Sequence, residues 1–469
     1  MVFTSQIFLF YFLPLVLLAY YALPRRGRNV LLTLSSYVFY GWWNPWFVTL
    51  MFVSTVIDWY CGLAITKEGA TEKIRKRGVF ISIAANLSLL GFFKYFGFAQ
   101  ENLNRLLVLF GAEATGVLEV VLPVGISFYS LQSMSYSIDL YRGDARRAKS
   151  FTDFACYVAM FPQLVAGPIV RYREIFEQLD ERPQRGELFR SGALTMMVGF
   201  AKKILLANTL GEIADLTFGA ESMPVEVAWF GVLAYGFQIY FDFSGYSDMA
   251  IGLGQMMGFS LPINFRSPFR ADSFTDFWRR WHISLSSWLR DYLYIPLGGN
   301  RASVARTYFN LMMTMVIGGL WHGAQWTYLV WGAFHGIVLA LERAAGKRPY
   351  WSALPRPARV LVTMFLLQIS WVLFRAGDLH QVWAYLGSLF QERGDAAAGE
   401  ILAGRLFQPY YLVLMSISAL IIWAGVETHR LVEHALKREA ISLGVFALFL
   451  LSIAAMFLQA ENPFLYFQF

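Results

Sequence analysis

The sequence contains little charge and very little cysteine. Only 15% of its 469 residues are Asp, Glu, Lys or Arg, whereas a soluble domain usually has about 25%. So few charged side chains cannot cover the surface of a soluble protein of this length, which excludes a compact soluble enzyme. The two cysteines, Cys61 and Cys156, both lie in apolar stretches. They therefore indicate neither a disulfide framework nor a thiolate metal site.

Several short enzyme motifs are also missing from the sequence. It contains no Walker phosphate loop, no HExxH or GxSxG motif, no EF-hand loop and no CxxC pair. Three histidines, His282, His322 and His335, have no Cys or Glu-x-x-His nearby, so we expect no bound metal. The net charge of +7 is typical of basic cytoplasmic loops in an apolar chain, and we expect no nucleic-acid partner.

What the sequence has in abundance is apolar and aromatic residues. Hydrophobic residues make up 57% of the chain and aromatic residues 17%, and the mean hydropathy is +0.46. The aromatic content excludes a disordered chain, and the composition predicts an all-α integral membrane protein. The main apolar segments are residues 7–23, 30–42, 46–65, 79–98, 117–140, 191–209, 225–243, 307–320, 324–343, 358–375, 408–426 and 441–459.

The positions of basic residues indicate which loops face the cytoplasm. Arg25, Arg26 and Arg28 follow the first apolar segment, and further basic clusters occupy Lys67–Arg77 and Arg142–Lys149. Each cluster is separated from the next by two apolar segments, which is the parity expected if all three are cytoplasmic. Because the charge follows the first apolar segment rather than preceding it, we expect an uncleaved helix with its N-terminus outside.

The middle and the end of the chain are less regular. Residues 151–170 are apolar but are interrupted by the sequence FPQLVAGP. Both flanks of this segment look cytoplasmic, so we predict a broken or re-entrant segment there. The basic ends at Arg343–Arg348 and Lys437–Arg438 are interpreted as cytoplasmic, and residues 376–406 as the largest external loop. In all, the sequence predicts about ten to twelve transmembrane or re-entrant helices.

Residues 274–300 combine tryptophan with arginine in a helical pattern. Apolar side chains recur every three or four residues at Phe274, Phe277, Trp278, Trp281, Leu285, Trp288, Leu289 and Tyr292. The opposite side carries Asp276, Arg279, Arg280, Ser286, Ser287, Arg290 and Asp291. This pattern predicts an amphipathic helix in the membrane interface, because an arginine at the bilayer centre costs at least ~3 kcal/mol. A simple surface anchor would have the same pattern, but His282 falls on the apolar edge and is expected to face inward.

A second stretch, residues 318–336, places a histidine among apolar residues. His322 lies between two apolar segments, next to glycines and to Trp321. An ionisable side chain at membrane depth is a candidate for function, and imidazole is the usual proton acceptor in acyl transfer. The alternative is a structural histidine that is bonded to a carbonyl at a helix end. His335, further along the same stretch, is interpreted as a packing residue.

A third stretch, residues 240–254, interrupts an apolar region with Asp242, Ser244, Tyr246 and Asp248. Buried carboxylates at these positions could line a cavity or orient an imidazole. They could equally form a polar network that packs helices together, and the sequence does not separate the two interpretations.

Five long motifs resemble the membrane-bound O-acyltransferase (MBOAT) family. They are WRRWHISLSSWLRDYLYIPLGGNR (278–301), GGLWHGAQWTYLVWGAFHG (318–336), YFDFSGYSDMAIGLG (240–254), LPVGISFYSLQSMSYSIDLYRGD (122–144) and FPQLVAGPIVRY (161–172). The opening MVFTSQIFLFYFLPL and the sequence SYVFYGWWNPWF are similar to a bacterial branch of the family, which includes the membrane subunit of alginate O-acetylation. The resemblance covers essentially the whole chain.

The resemblance implies a fold that composition does not show. It implies a single polytopic domain over residues 1–469, in which transmembrane, re-entrant and interfacial helices surround a central tunnel. N-terminal helices are expected in residues 1–150, a catalytic core in residues 151–345 and C-terminal helices in residues 346–469. The implied location is the bacterial inner membrane, with a periplasmic N-terminus.

The resemblance also implies a site. His322 corresponds to the invariant histidine of the family, and His282 to its second conserved polar position. Further residues expected at the acyl-donor mouth or along the tunnel are Trp278, Arg279, Arg280, Trp281, Arg290, Asp291, Tyr294, Trp321, Asp242, Ser244 and Asp248. No permanently bound cofactor is implied, and the presumed acyl donor is acetyl-CoA. The implied partners are membrane lipids and a periplasmic acetyltransferase or acceptor protein of an exopolysaccharide machinery.

The sequence leaves open the chemical role of His322, the ligand of the arginines and the class of protein. His322 could act as a general base or carry the acetyl group covalently. Arg279, Arg280 and Arg290 could bind the phosphates of CoA or anionic lipid headgroups. A transporter or flippase of an acylated carrier or polysaccharide, with histidines as proton relays, is the main rival, and a scaffold subunit without chemistry is a third possibility.

Overall fold

The computed structural model describes residues 1–301, 303–346 and 349–459. Within these residues the regular structure is helical, apart from one isolated antiparallel bridge between Met223 and Arg393. This architecture agrees with the all-α fold class that the composition predicts.

The chain forms two compact units. The N-terminal unit comprises Met1–Ala193 together with Ala250–Pro262. The C-terminal unit comprises Leu194–Met249 together with the described residues from Ile263 onward.

Eight helices precede residue 186 in the N-terminal unit, within the range that the structure describes. They are α1 (Phe8–Ala22), α2 (Arg25–Gly41), α3 (Trp46–Thr66), α4 (Glu72–Leu109), α5 (Ile126–Arg142), α6 (Phe151–Ala159), α7 (Phe161–Leu164) and α8 (Tyr172–Asp180). A π-helical turn occurs at Phe8–Phe12 in α1 and at Gly91–Tyr95 in α4. Helix α4 begins after Thr71, whose hydroxyl accepts a hydrogen bond from the backbone N–H of Ile74 and so caps the helix.

Helix α5 begins later than its apolar pattern predicts. The sequence predicts a span over residues 117–140, but the helix begins only at Ile126. Gly125, directly before it, has φ 78°, and a Cβ added there would lie 2.8 Å from the carbonyl oxygen of Leu164. Glycine adopts this left-handed conformation without steric penalty, so the chain turns here instead of extending the helix toward residue 117.

The segment at residues 151–170 is broken, as its proline and glycine residues predict. Helix α6 ends at Ala159, α7 covers only Phe161–Leu164, and no helix is assigned over residues 165–171. Residues 154–170 are buried, which is the condition under which irregular backbone is tolerated in a membrane protein.

The remaining helices belong wholly or partly to the C-terminal unit. They are α9 (Gly186–Phe218), α10 (Val225–Met256), α11 (Phe274–Trp278), α12 (Ile283–Leu289), α13 (Val304–His322), α14 (Trp326–Ala344), α15 (Arg356–Arg375), α16 (Leu379–Ser388), α17 (Ala396–Leu406), α18 (Pro409–Ala424), α19 (Thr428–Lys437) and α20 (Glu439–Leu458). A π-helical segment, Lys202–Ala207, lies within α9, and another, Arg290–Tyr294, continues α12.

Among the described residues, five helices are long and apolar enough to cross a membrane. They are α3, α4, α9, α15 and α20, and α17 with α18 would add a sixth span if this pair, bent by 65°, crosses as one. The protein is therefore a multi-pass membrane protein. The larger total of ten to twelve spanning or re-entrant helices, and the central tunnel, stay predictions.

The structure corrects two predictions about local helices. Residues 274–292 are not one amphipathic helix, because α11 ends at Trp278 and α12 starts only at Ile283. Residues 376–406 are not a plain loop, because they contain α16 and α17. The predicted basic end Arg343–Arg348 is described only in part, since residues 347 and 348 lie outside the described residues.

The break between α11 and α12 has a local cause at His282. This residue has φ 44° and ψ 53°, a left-handed conformation that a right-handed helix cannot continue. The backbone groups released there bond to a neighbouring segment instead. The N–H of Ile283 donates to the carbonyl oxygen of Asn264 at 3.0 Å, and the N–H of Arg266 donates to that of Arg280 at 3.0 Å.

Candidate active site

Helices α13 and α14 pack backbone against backbone, and this contact places His322. A Cβ added at Gly319 would overlap the carbonyl oxygen of Tyr328, and one added at Gly332 would lie 2.5 Å from that of Met315. Only glycine permits so close an approach. His322 is the last residue of α13, and its side chain is buried, with 5% of its surface exposed.

His282 is held next to His322 by the break described above. Its imidazole is fully buried, and the centroid of its ring lies 6.4 Å from that of His322. Asn264 supports the backbone beyond it, because its side-chain oxygen accepts the N–H of Ser284 at 3.2 Å. The structure thus brings together the two histidines that the sequence selects, which are forty residues apart in the chain.

The two imidazoles lie in an aromatic shell. The rings of Trp321, Trp331 and Phe374 lie 5.0, 5.5 and 5.1 Å from that of His322, and the ring of Phe243 lies 4.6 Å from that of His282. Such surroundings penalise the charged form of an imidazole. Burial lowers the pKa of His282 to about 3, so this side chain is neutral at physiological pH.

A cavity of about 680 Å³ lies in the C-terminal unit. One residue of its lining, Trp278, contacts the ring of Trp331, which in turn contacts the ring of His322. The cavity lining also includes Leu311 and Met315 on α13, and His322 lies on the same face of that helix, two turns beyond Met315. The lining is strongly basic. It contains Arg279, Arg280, Arg290, Arg343 and Arg356, against Asp272 and Asp276.

A second, smaller cavity of about 440 Å³ shares a wall with the first. Asp276, Arg279 and Arg280 line both. The smaller cavity is also lined by Ile263, Arg266, Glu427, His429 and Arg430. Positive charge therefore extends across two adjoining cavities on the surface of the same unit.

The structure places five of the eleven residues predicted for the donor mouth or tunnel at the larger cavity. Trp278, Arg279, Arg280, Arg290 and Tyr294 line it. Trp321 lies beside both histidines. Asp291 is mostly buried and pairs with Arg290 at 2.7 Å, while Trp281 packs in the core between Phe277 and Trp371.

The two predicted carboxylates of α10 form ion pairs with lysines of α9 and do not line the larger cavity. Asp242 lies 2.6 Å from the Nζ of Lys203, and both side chains are buried. Asp248 lies 2.7 Å from the Nζ of Lys202 and accepts a hydrogen bond from the hydroxyl of Thr428 at 2.6 Å. These contacts join α9, α10 and α19, which is the arrangement of a polar packing network. Ser244, between the two carboxylates in sequence, is also buried.

Sequence reasoning missed Glu342, which fixes the start of α11. Its carboxylate is buried and accepts the backbone N–H groups of Phe274 and Thr275 at 2.7 and 2.9 Å, and the hydroxyl of Thr275 at 2.6 Å. Helix α11 carries Trp278, so Glu342 positions a wall of the cavity from a distance. The available signal was an acidic residue near the end of an otherwise apolar segment.

His335 also does more than the packing role that its sequence position predicts. The indole N–H of Trp278 donates to its Nδ1 at 3.2 Å. Because an indole nitrogen can only donate, Nε2 of His335 carries the hydrogen and donates to the hydroxyl of Ser370 at 3.3 Å. Ser370 in turn donates to the carbonyl oxygen of Leu367 at 2.7 Å. This chain fixes Trp278 in the cavity wall.

Two buried imidazoles, in the same unit as a basic cavity of a multi-pass membrane protein, are compatible with an acyltransferase site. The described part of the chain contains no group of three or more His, Cys, Asp or Glu side chains that could hold a metal ion. The side chains present can supply proton transfer and hydrogen bonding by imidazole, and arginines suit an anionic substrate.

Comparison with known proteins agrees with this class. Residues 142–349 match the model of the membrane-bound O-acyltransferase family, MBOAT. The chain is 47% identical over 393 residues to the "Probable alginate O-acetylase AlgI" of Pseudomonas aeruginosa, which covers 83% of this chain and 75% of that protein. It is 41% identical to the protein of the same name from Azotobacter vinelandii over the full length of both.

A third relative is named for peptidoglycan rather than alginate. The "Peptidoglycan O-acetyltransferase" of Helicobacter pylori is 38% identical over 81% of this chain and 78% of its own length. On these similarities the chain belongs to the membrane-bound O-acyltransferase family and is an O-acyltransferase.

Proposed function

We propose that this protein transfers acetyl groups from cytoplasmic acetyl-CoA across the bacterial inner membrane for O-acetylation of an exported polysaccharide such as alginate. His322 is the general base, and a periplasmic acetyltransferase or acceptor protein receives the acetyl group. The N-terminus is periplasmic. The observation that carries this proposal is the buried pair of His322 and His282, with ring centroids 6.4 Å apart, in the same unit as the arginine-lined cavity.

The geometry supports a direct transfer. Neutral His322 accepts the proton of the acceptor hydroxyl as its oxygen attacks the thioester carbon, and the resulting imidazolium returns the proton to the departing CoA thiolate. Atoms and charge balance, giving an ester and free CoA. General-base assistance of this kind contributes about 10²–10⁴-fold to the rate. His282, whose ring lies 6.4 Å from that of His322, positions the acyl group or donates a hydrogen bond to the developing oxyanion.

The basic cavities support acetyl-CoA as the donor. The nucleotide end of CoA carries several phosphate charges, and arginine binds phosphate through paired charge-assisted hydrogen bonds. Arg266 and Arg279 lie at the smaller cavity, next to the larger cavity, whose lining includes Leu311 and Met315 of α13, the helix that ends at His322. The nucleotide then binds across the arginines, and the thioester arm extends past Trp278.

The choice of alginate rests on the relatives. Two of the three reported relatives are alginate O-acetylases by name, and they show the higher identities. The peptidoglycan O-acetyltransferase makes peptidoglycan the alternative acceptor, so both polymers belong in the test.

The test incubates the purified full-length protein with acetyl-labelled CoA and alginate oligosaccharides, with and without a periplasmic acetyltransferase partner. Release of free CoA and transfer of label are measured. We expect both from the intact protein and neither from His322→Ala. The matched control is His380→Ala, which removes an exposed histidine of α16 and is expected to leave transfer unchanged.

Two results would overturn the proposal. Transfer by His322→Ala at the rate of the intact protein would remove the base from the mechanism. Movement of polysaccharide or acylated carrier without any consumption of acetyl-CoA would favour the transporter. Label found only on peptidoglycan fragments, offered in place of alginate, would keep the enzyme and change its acceptor.

A further inference from the structure

The indole N–H of Trp331 is a buried hydrogen-bond donor that the structure leaves unused. Trp331 is 4% exposed, and its Nε1 has no hydrogen-bond partner among the described residues. A buried donor without a partner is unfavourable, and in native proteins such a group usually has a functional reason. Indole can donate but cannot accept, so the missing partner must be an acceptor.

Other tryptophans of the same unit show the contrast. The N–H of Trp229 donates to the carbonyl oxygen of Leu389 at 2.9 Å. That of Trp278 donates to Nδ1 of His335 at 3.2 Å. The ring of Trp331 contacts His335, the acceptor for Trp278, yet the N–H of Trp331 itself has no acceptor among the described residues.

The position of Trp331 indicates which acceptor would reach it. Its ring lies 5.5 Å from the ring of His322 and 5.8 Å from that of Trp278, and Trp278 lines the larger cavity. Trp331 therefore contacts both a residue of the cavity wall and the proposed base. A thioester carbon bound within reach of His322 would lie close to this indole.

The orientation of the indole is fixed from its other sides. The ring of His335 lies 4.5 Å away and that of Phe374 5.3 Å away. Both neighbours are themselves buried. The donor is thus held in place before any substrate binds, which is the condition for stabilising charge that develops only in a transition state.

We propose that Trp331 is a further catalytic residue, whose indole N–H donates a hydrogen bond to the acyl carbonyl oxygen as it becomes an oxyanion. The inference rests on the proposed acetyl transfer at His322. When the acceptor oxygen bonds to the thioester carbon, the carbonyl oxygen takes the electron pair. The N–H of Trp331 binds this oxygen until the C–S bond breaks and the carbonyl re-forms.

The test removes the donor while keeping the ring. Trp331→Phe deletes the N–H but also shortens the side chain. Site-specific replacement of Trp331 by 3-benzothienylalanine deletes only the N–H, because sulfur takes the place of nitrogen in a ring of nearly equal size. The matched control is Trp371→Phe, since Trp371 is a buried tryptophan of the same core whose reported ring contacts do not include His322.

Both Trp331 proteins should show kcat for CoA release lowered by about 10²-fold, the usual effect of removing one oxyanion donor. KM for acetyl-CoA should stay within about twofold, because the bond forms only in the transition state. Trp371→Phe should retain kcat within about threefold when its loss of folded protein is taken into account.

The outcomes separate this inference from the function on which it rests. If the intact protein releases CoA in a His322-dependent way and the benzothienylalanine protein retains its kcat within about threefold, the inference is wrong and the enzyme remains. If the intact protein shows no His322-dependent release, the proposed function is wrong and the inference falls with it. A raised KM with unchanged kcat would assign Trp331 to substrate binding and would also overturn the inference.

Discussion

The C-terminal unit contains two sets of polar side chains in its interior, the Lys–Asp pairs between α9 and α10 and the two histidines, and the two sets differ in the partners that surround them. Lys203 and Asp242 neutralise each other at 2.6 Å, and Lys202 and Asp248 do so at 2.7 Å. His282 and His322 instead face aromatic rings and each other. The sequence selects both regions for the same reason, because polar side chains interrupt apolar segments in each.

The difference indicates how polar residues that stabilise the fold can be distinguished from polar residues that act in the reaction. A buried charged side chain needs a partner of opposite charge, and removing either partner of such a pair destabilises the folded protein. A neutral imidazole can be buried without a counter-charge, so the fold does not require an ionic partner for it. Variants in the two regions should therefore fail in opposite ways, one in stability and the other in turnover.

The largest effect on stability is expected from Lys203→Met. The variant leaves the carboxylate of Asp242 buried without its ammonium partner, which typically costs about 3–5 kcal/mol. Denaturation of the purified protein in detergent measures the loss. In the double variant Lys203→Met with Asp242→Leu most of the stability should return, and Lys76→Met, at an exposed pair with Glu72, should show no measurable loss. Full stability in Lys203→Met alone would contradict the comparison.

The corresponding effect on turnover is expected from His282→Ala. The rate of acetyl transfer should fall by about 10²-fold, because the variant removes a preorganised polar group beside the base. The midpoint of thermal unfolding should change little by comparison with Lys203→Met. Transfer assays and unfolding curves on the same preparation give both quantities. If the His282→Ala protein were both inactive and unfolded, His282 would be required for stability, and the result would contradict a specific role in turnover.

A pH experiment sharpens the same distinction. The folded-state pKa of His282 is about 3, lowered by burial, whereas an unfolded histidine titrates near 6.5. The unfolded state therefore binds more protons below pH 6.5, and stability should fall with pH between about 6.5 and 3, by at most about 1.4 kcal/mol per pH unit. His282→Gln should lack this part of the slope. An identical slope in both proteins would contradict the prediction.

The smallest effect is expected from Glu342→Gln. The amide oxygen can replace only one of the two carboxylate oxygens that accept hydrogen bonds from the start of α11. Its NH2 group is a donor and the charge is lost, so the change costs about 1 kcal/mol or more. Because α11 carries Trp278 and leads to Arg279, KM for acetyl-CoA should rise more than kcat falls. Steady-state kinetics measure this split. Glu433→Gln, on α19 and exposed, is the control, and an equal effect of both changes would remove the positioning role.

Several parts of this arrangement follow from the sequence alone. His322 and His282 stand out because an ionisable side chain in an apolar stretch needs a reason, and the arginines near Trp278 stand out by helical spacing. The α-helical class follows from composition. The positions of Asp242 and Asp248 are visible too, but their lysine partners lie on another helix, forty residues earlier in the chain.

Other parts depend on contacts that no local pattern contains. The break at His282 is set by backbone bonds to Asn264 and Arg266, so the helical period of residues 274–292 continues through it unchanged. The roles of Glu342 and His335 depend on the approach of α11 to α14 and α15. Periodicity predicts which face of a helix is buried, but it does not predict which partner that face meets.

The backbone contact between α13 and α14, made possible by Gly319 and Gly332, has an evolutionary consequence. Helices that touch through their main chains cannot slide past each other without a clash, and a side chain added at either glycine would force them apart. Any such substitution would move the end of α13 and His322 with it. These two positions can therefore change less freely than the aromatic side chains around the histidines.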